Sequence, residues 1–163
     1  MKNLILVGGG GHCKSVLEAA ESAGYNILGV LDMPEEVGKE ILSTKVIGTD
    51  DDINKIKEAG GKLATVIAST AYVSKYAEIG EGTVVLHQAF VNAGAKVGKN
   101  VILNTATNIE HDAVISDQCH ISTGAMINGG AEIAEGTFIG SQSVINQGIK
   151  IKWGGNYCLA ISS

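Results

Sequence analysis

Charged residues and long apolar runs are both scarce in this sequence of 163 residues. Only 18% of the residues are charged, and the net charge of −5 leaves no basic patch for nucleic acid. No apolar run approaches the roughly 18 residues that a membrane-spanning helix needs. The apolar stretch after Met1 ends at Gly8, which is too short for a secretory signal peptide. We therefore expect a cytoplasmic protein whose partners are small molecules or protein chains, and neither nucleic acid nor a membrane.

Cysteine is rare as well. The three cysteines, Cys13, Cys119 and Cys158, are odd in number, lie far apart and form no metal-type pair. This pattern predicts neither a disulfide framework nor a zinc site, so we expect reduced and mostly structural thiols. No metal ligands are predicted.

The second half of the sequence contains a six-residue repeat. A small side chain stands two residues before most of the repeated aliphatic positions, as Ala113 does before Ile115. This is the hexapeptide pattern of a parallel β-helix, in which three short strands form one triangular coil of about 18 residues. A sandwich of short strands would instead show period-two alternation. The fourteen aliphatic positions are Val73, Ile79, Val85, Val91, Val97, Leu103, Ile109, Ile115, Ile121, Ile127, Ile133, Ile139, Ile145 and Ile151.

The first half has the pattern of a Rossmann-like βαβ unit. An apolar strand at residues 3–7 is followed by a glycine loop, Gly8–Gly11, and by a helix over His12–Ala23. A second strand, Asn26–Leu31, ends at Asp32. Such a loop could bring a phosphate close to the backbone at a helix N-terminus, where the amide donors favour anions. A tight turn without a ligand is the alternative.

The glycine loop matches neither standard nucleotide fingerprint. Cys13 or Lys14 stands where the third glycine of the dinucleotide motif belongs, and Cys13 replaces the second glycine of the phosphate loop. ATP hydrolysis and dehydrogenase chemistry are therefore poor interpretations. A further helix over Thr49–Gly60 and a buried strand over Leu63–Ala68 complete the predicted domain.

We thus predict three segments along the chain. Residues 1–70 form an α/β Rossmann-like domain, residues 71–151 form a left-handed parallel β-helix, and residues 152–163 form an irregular tail.

Two motifs together resemble a known family. The run Gly8-Gly-Gly-Gly-His12-Cys-Lys precedes hexapeptide coils that contain Asn104-Thr-Ala-Thr-Asn-Ile-Glu110-His111-Asp112. This combination resembles the sialic-acid and sugar O- and N-acetyltransferases, the hexapeptide acyltransferases that include enzymes acting on nucleotide-linked amino sugars. The resemblance implies a homotrimer that binds acetyl-CoA, its co-substrate, in clefts between neighbouring β-helices. It also implies that the N-terminal domain holds the nucleotide sugar.

The resemblance assigns His111 as a general base. Acetyl transfer from a thioester needs an amine or hydroxyl that is deprotonated as it attacks, and imidazole titrates near neutral pH. Either Glu110 or Asp112 could accept a hydrogen bond from the other ring nitrogen and orient the base. A surface histidine without function is the alternative for His111.

The resemblance also implies the binding residues. Asn104, His120 and Gly129 would contact CoA, although a solvated histidine is an equal alternative for His120. The glycine loop Gly8, Gly9, Gly10 and Gly11, together with His12 and Asp32, would contact the nucleotide sugar; helix capping or simple exposure competes with this role for His12 and Asp32.

Two departures from the family support other hypotheses. The segment between Asp52 and Ala71 is short for the family, and the repeat is expected to stop at Ile151, where family members continue for further coils. A non-catalytic trimer with an incomplete CoA site is therefore the second hypothesis. A carbonic anhydrase of the γ type, with His87, His111 and His120 on zinc, is the third, although their spacing does not match that family.

Overall fold

The computed structural model describes residues 2–152 and the two-residue strand Asn156–Tyr157. The chain divides between Ala64 and Thr65, earlier than the predicted division between residues 70 and 71. The reason lies in Val66–Ile67, which falls inside the strand predicted to end the first domain. It pairs instead with Val84–Val85 and so begins the β-helix.

The first unit is a four-stranded sheet. Its strands lie side by side in the order β1 (Lys2–Val7), β2 (Tyr25–Leu31), β4 (Thr44–Gly48) and β3 (Glu40–Ile41). Strands β1, β2 and β4 are parallel, and β3 is antiparallel to β4. Two α-helices and two 3-10 helices connect the strands. The elements are β1 Lys2–Val7, α1 Cys13–Ser22, β2 Tyr25–Leu31, a 3-10 helix Pro34–Glu36, β3 Glu40–Ile41, β4 Thr44–Gly48, a 3-10 helix Asp50–Asp52 and α2 Ile53–Glu58.

Helix α1 packs on one face of this sheet. Cys13 and Leu17, four residues apart, lie on the same side of the helix and join Leu6, Val30 and Val46 of the strands in one buried cluster. Gly24 follows the helix in a left-handed backbone conformation, with φ +80°. Residues that carry a side chain adopt this conformation only with strain. The predicted βαβ unit is confirmed.

The second unit is the β-helix, with three sheets of parallel two-residue strands. Face 1 consists of Val66–Ile67, Val84–Val85, Ile102–Leu103, His120–Ile121, Phe138–Ile139 and Asn156–Tyr157. Face 2 consists of Tyr72–Val73, Phe90–Val91, Asn108–Ile109, Met126–Ile127 and Val144–Ile145. Face 3 consists of Glu78–Ile79, Lys96–Val97, Val114–Ile115, Glu132–Ile133 and Lys150–Ile151.

The hexapeptide positions form the interior of the β-helix, as predicted. From Val85 to Ile145, each of these aliphatic side chains is at most 4% exposed. Small residues such as Ala113 and Ala125 are also fully buried, where the chain turns between faces. Burial of each large aliphatic side chain contributes about 1.5–3 kcal/mol, so the repeat itself supplies the core.

The coils stack in strict register. Asn108 pairs with Met126 and Ile109 with Ile127, so each residue lies beside the one eighteen positions later. Corner residues consequently form columns along the β-helix, and these columns bring together side chains that are distant in sequence. The functional site depends on one such column.

The register continues beyond Ile151. Asn156–Tyr157 pairs with Phe138–Ile139 on face 1, so Tyr157 occupies the next hexapeptide position. The prediction that the repeat stops at Ile151 is therefore wrong, as is that of an irregular tail at these two residues. Residues 153–155 and 158–163 lie outside the described part of the chain. Within the described part, no helix is both long and apolar enough to cross a membrane.

Candidate active site

His111 lies at the corner between faces 2 and 3. The stacking at this corner is held by backbone hydrogen bonds, because Asp112 N–H donates to the Ala93 carbonyl at 3.2 Å and Gly130 N–H donates to the His111 carbonyl at 3.0 Å. The His111 side chain is 56% exposed. The residue predicted as the base therefore projects outward, within reach of a ligand.

Asp112 is the acid that contacts the imidazole ring. Its Oδ2 lies 3.0 Å from His111 Nδ1. When Nδ1 carries the proton that it donates to this carboxylate, Nε2 presents a lone pair. Asp112 reaches this position from a left-handed backbone conformation with φ 59°, which Asp tolerates better than most residues. Gly94, one coil earlier, leaves room for the carboxylate, because a Cβ there would overlap Asp112 Oδ1.

Glu110, the other predicted orienting acid, has different partners. Asn92 Nδ2 donates to its Oε2 at 2.7 Å, and Asn108 Nδ2 donates to its Oε1 at 3.0 Å. The Asn92 hydrogen bond is the largest cause that holds the pKa of Glu110 below its ordinary value; the Asn108 hydrogen bond, the backbone N–H of His111 and the charge of His111 add to it. Glu110 is thus a fixed carboxylate beside His111, and of the two acids only Asp112 contacts the ring.

Gly129 lies against the other side of the imidazole. It is buried, and a Cβ at this position would lie 2.6 Å from His111 Nε2. His111 Nε2 therefore faces the backbone of the next coil. Gly129 was predicted as a CoA contact, and the structure places it against the His111 ring.

Asn104 and His120 form a second pair at another part of the coil. Asn104 Oδ1 accepts the Thr105 backbone N–H at 2.8 Å, and its Nδ2 lies 3.4 Å from His120 Nε2. The His120 ring meets the Phe138 ring edge-on, with centroids 5.0 Å apart. Asn104 directly follows a strand of face 1 and His120 lies on that face, one corner away from His111.

The glycine loop lies at the carboxyl ends of β1 and β2, the edge of a parallel sheet where ligands bind. Gly8 N–H donates to the Leu31 carbonyl at 2.8 Å. A side chain at Gly9 would overlap Asp32 Oδ2, so these two predicted residues are adjacent. Nothing lies within 4 Å of a Cβ at Gly10 or Gly11, and neither has a left-handed φ. Local packing therefore accounts for Gly9 and leaves Gly10 and Gly11 facing open space.

His12 and Cys13 directly follow the glycine loop, whereas Cys119 lies inside the β-helix. His12 occupies the N-cap position of α1, and its side chain is half-buried. Burial, and then the Asp32 charge, raise the pKa of the Cys13 thiol. Burial also raises the pKa of Cys119, inside the β-helix. Both thiols are protonated at neutral pH, which fits a structural role.

Three residues of the site were missed by sequence reasoning. Asn92 and Gly94 stand one coil before Glu110 and Asp112, and Asn108 stands two residues before Glu110. A search of the sequence at a spacing of eighteen around His111 would have found the first two. Across residues 2–152 and 156–157, no three His, Cys, Asp or Glu side chains lie together as a metal site. Nothing in that part of the chain favours the zinc hypothesis.

Two family profiles match the sequence, in the order of the two units. The PglD N-terminal domain matches residues 3–72, which ends close to the predicted domain boundary, and the bacterial transferase hexapeptide family, with six repeats, matches residues 112–147. Each profile covers less than half of the chain, so the two profiles show which families its two units resemble. A comparison with curated proteins found no match.

Solved structures of two acetyltransferases have a similar fold. The acetyltransferase domain of PglB from Neisseria gonorrhoeae is 28% identical, with a TM-score of 0.68 over 93% of this chain and 92% of that chain. The same domain has been solved in complex with acetyl coenzyme A. A His-to-Asn mutant of perosamine N-acetyltransferase from Caulobacter crescentus, in complex with CoA and GDP-perosamine, is 21% identical, with a TM-score of 0.76 over 92% of this chain and 90% of that chain.

The comparison with these neighbours corrects one prediction and confirms another. Because the chain spans at least 90% of each of these neighbours, the expected lack of several coils relative to the family is wrong. The predicted fold, an α/β domain followed by a left-handed parallel β-helix, is confirmed.

Proposed function

We propose that this protein moves an acetyl group from acetyl-CoA to an amino group of a nucleotide-linked sugar, with His111 as the general base. The observation that carries the proposal is the His111–Asp112 pair at an outward corner, with His111 Nδ1 3.0 Å from the Asp112 carboxylate, since Nε2 can accept a proton when Nδ1 carries the other. A hydroxyl group is the alternative acceptor. The complexes of the solved neighbours with CoA, acetyl coenzyme A and GDP-perosamine support this choice of substrates.

The His111–Asp112 pair would supply the proton transfer that acetyl transfer requires. The lone pair of the substrate amine attacks the thioester carbonyl while His111 Nε2 takes the proton that the nitrogen releases. The resulting imidazolium is stabilised by Asp112, as in other sites with a His and an acid. Collapse of the tetrahedral intermediate breaks the C–S bond, and the imidazolium of His111 gives its proton to the departing CoA sulfur, which restores the neutral base. The products are the N-acetylated sugar and free CoA, and no covalent acyl-enzyme is needed.

The acceptor's nucleotide would bind at the glycine loop. Gly10 and Gly11 face open space and need glycine for neither backbone conformation nor packing, and a close approach of ligand phosphates would account for their small size. The loop precedes the N-terminus of α1, whose backbone amides favour an anion. Asp32 and His12 flank the same loop and would contact the nucleotide sugar.

The acyl donor would bind between copies of the chain in a homotrimer. Face 3 carries charged side chains paired between coils, with Lys150 to Glu132 at 2.8 Å and Lys96 to Glu78 at 3.8 Å. Face 2 instead exposes apolar side chains: Tyr72 is 56%, Met126 37% and Val144 42% exposed. Burial of such a face against a second copy is favourable, whereas burial of face 3 would cost the desolvation of its charges. Asn104, His120 and Gly129 would line the CoA cleft.

A cytoplasmic location remains a prediction from the composition of the sequence.

A coupled assay tests the proposal. The full chain would be incubated with acetyl-CoA and a panel of UDP- and GDP-linked amino sugars, and CoA release would be followed by mass spectrometry together with the acetylated product. Light scattering would measure the oligomer, for which we expect three chains. Micromolar binding of acetyl-CoA with turnover of one nucleotide sugar is the expected result. Binding of the nucleotide sugar without any acetyl-CoA binding would favour the non-catalytic hypothesis instead.

A further inference from the structure

The Glu110 carboxylate is bound by donors from two consecutive coils. Asn92 belongs to the preceding coil and Asn108 to the same coil as Glu110, and each amide donates to a different carboxylate oxygen, at 2.7 Å and 3.0 Å. The backbone N–H of His111 is a further cause that lowers the pKa of the same carboxylate. We propose that Asn92 and Asn108 are positioning residues for the His111 base and that they act on it through Glu110. This inference rests on the proposed function of the site.

The Asn92 amide is specified at both ends. Its Oδ1 accepts the backbone N–H of Ala93 at 2.8 Å, and its Nδ2 donates to Glu110. A carboxylate can only accept, so the amide cannot be turned over. Asp at this position would keep the bond to Ala93 but place an oxygen against an oxygen, and Ala would keep neither bond. Asparagine is therefore the side chain that this geometry requires.

Glu110 transmits this restraint to the base in two ways. Glu110 directly precedes His111, so the hydrogen bonds of its carboxylate to Asn92 and Asn108 restrain the corner from which the imidazole projects, next to the left-handed backbone of Asp112. Its negative charge also attracts the charged form of His111, which is the form that the reaction creates. Two amide donors keep this charge in place and ionised. Loss of either donor should lower the rate of the chemical step and leave substrate affinity unchanged.

A double-mutant cycle tests this pathway. Asn92→Ala should lower kcat about tenfold with both KM values unchanged, and it should cause no further loss in a Glu110→Ala background, because two residues that act through one another are not additive. Asn108→Ala should behave in the same way. Asn100→Ala, at an exposed corner between faces 3 and 1, is the control and should leave kcat unchanged. An equal loss from Asn92→Ala in both backgrounds, or a raised KM with an unchanged kcat, would overturn the proposal.

The pH profile of Asn92→Asp supplies a readout that a purely structural role would not affect. Two carboxylates at hydrogen-bond distance share one proton, so the apparent pKa of the pair rises. The charged group that acts on Glu110 in the parent protein is His111. We expect kcat of this variant to fall more steeply on acidification than that of the parent, and a profile parallel to the parent's would count against the role of Glu110.

Amide hydrogen exchange separates this inference from the proposed function. It is measured on the free protein, without substrates, at the His111 N–H. Exchange there should accelerate in Asn92→Ala and in Glu110→Ala and should stay at the parent rate in Asn100→Ala. If the parent shows no turnover, the proposed function fails, while accelerated exchange still supports the anchoring of His111. Unchanged exchange in Asn92→Ala refutes the anchoring whether or not the parent is active.

Discussion

Gly129 stands one coil beyond His111 and leaves no room for a side chain between them, because a Cβ at Gly129 would lie 2.6 Å from Nε2 of the imidazole. The nitrogen that would take the substrate's proton is thus bordered by bare backbone. Gly129 has no left-handed φ, so its need for glycine comes from the ring and not from its own conformation.

Gly129→Ala should therefore displace the His111 ring and lower kcat by about two orders of magnitude, the scale of a lost or misplaced catalytic group. Gly130→Ala is the matched contrast. Gly130 has φ +65° and nothing within 4 Å of a Cβ, so this variant adds backbone strain of about 1–2 kcal/mol without a clash. Kinetics and thermal unfolding of both variants are the measurements. Equal kcat values for the two would show that the contact with the ring is irrelevant to catalysis.

His111→Ala removes the proposed base. Because the side chain is 56% exposed, the melting temperature should change little, whereas turnover should fall by roughly 10²–10⁴-fold. His87→Ala removes a histidine that contacts Thr70 at 2.7 Å on another corner, and it should retain the parent rate. An active His111→Ala variant would reassign the base.

Asp112→Asn keeps the shape of the side chain and the left-handed backbone, which Asn also tolerates. It replaces the acceptor of the His111 Nδ1 proton, at 3.0 Å, by an amide that is free to favour the wrong ring tautomer. We expect kcat to fall at least tenfold with an unchanged KM for acetyl-CoA. Steady-state kinetics at several pH values would measure this. Retention of full activity would leave the ring without an orienting acid.

Glu110 links stability to pH. Its pKa is lower in the folded protein than its ordinary value of 4.5, so the folded state binds fewer protons than the unfolded state in the acid range. The stabilisation that the ionised Glu110 contributes to the folded state is complete above a pH of about 4.5. It is lost as the pH falls through the lower pKa that Glu110 has in the folded protein. The difference in melting temperature between the parent and Glu110→Gln should narrow as the pH falls from about 6 to about 3. A difference that is constant over this range would show that the charge of Glu110 contributes nothing.

Local sequence patterns were sufficient for the fold. The fourteen aliphatic positions at a spacing of six could be buried together only in a three-sided coil, and the structure buries them from Val85 to Ile145. The βαβ unit followed equally from an apolar strand, a glycine turn and a second strand. The boundary between the units did not follow, because Val66–Ile67 is apolar enough for either domain and only its pairing with Val84–Val85 assigns it to the β-helix.

The sequence by itself determined the architecture and indicated His111 as the candidate base, since periodicity and a short motif around His111 are both local properties of the chain. It left the orienting acid open between Glu110 and Asp112, and it held no sign that Asn92 or Gly94 belongs to the site. Tertiary structure decided these points. The register of eighteen residues between coils places Asn92 on Glu110 and Gly94 beside Asp112, and the left-handed backbone of Asp112 directs its carboxylate to the ring. Such contacts arise only when one coil has closed upon the next, because adjacency in a column depends on the pairing of strands and not on adjacency along the chain.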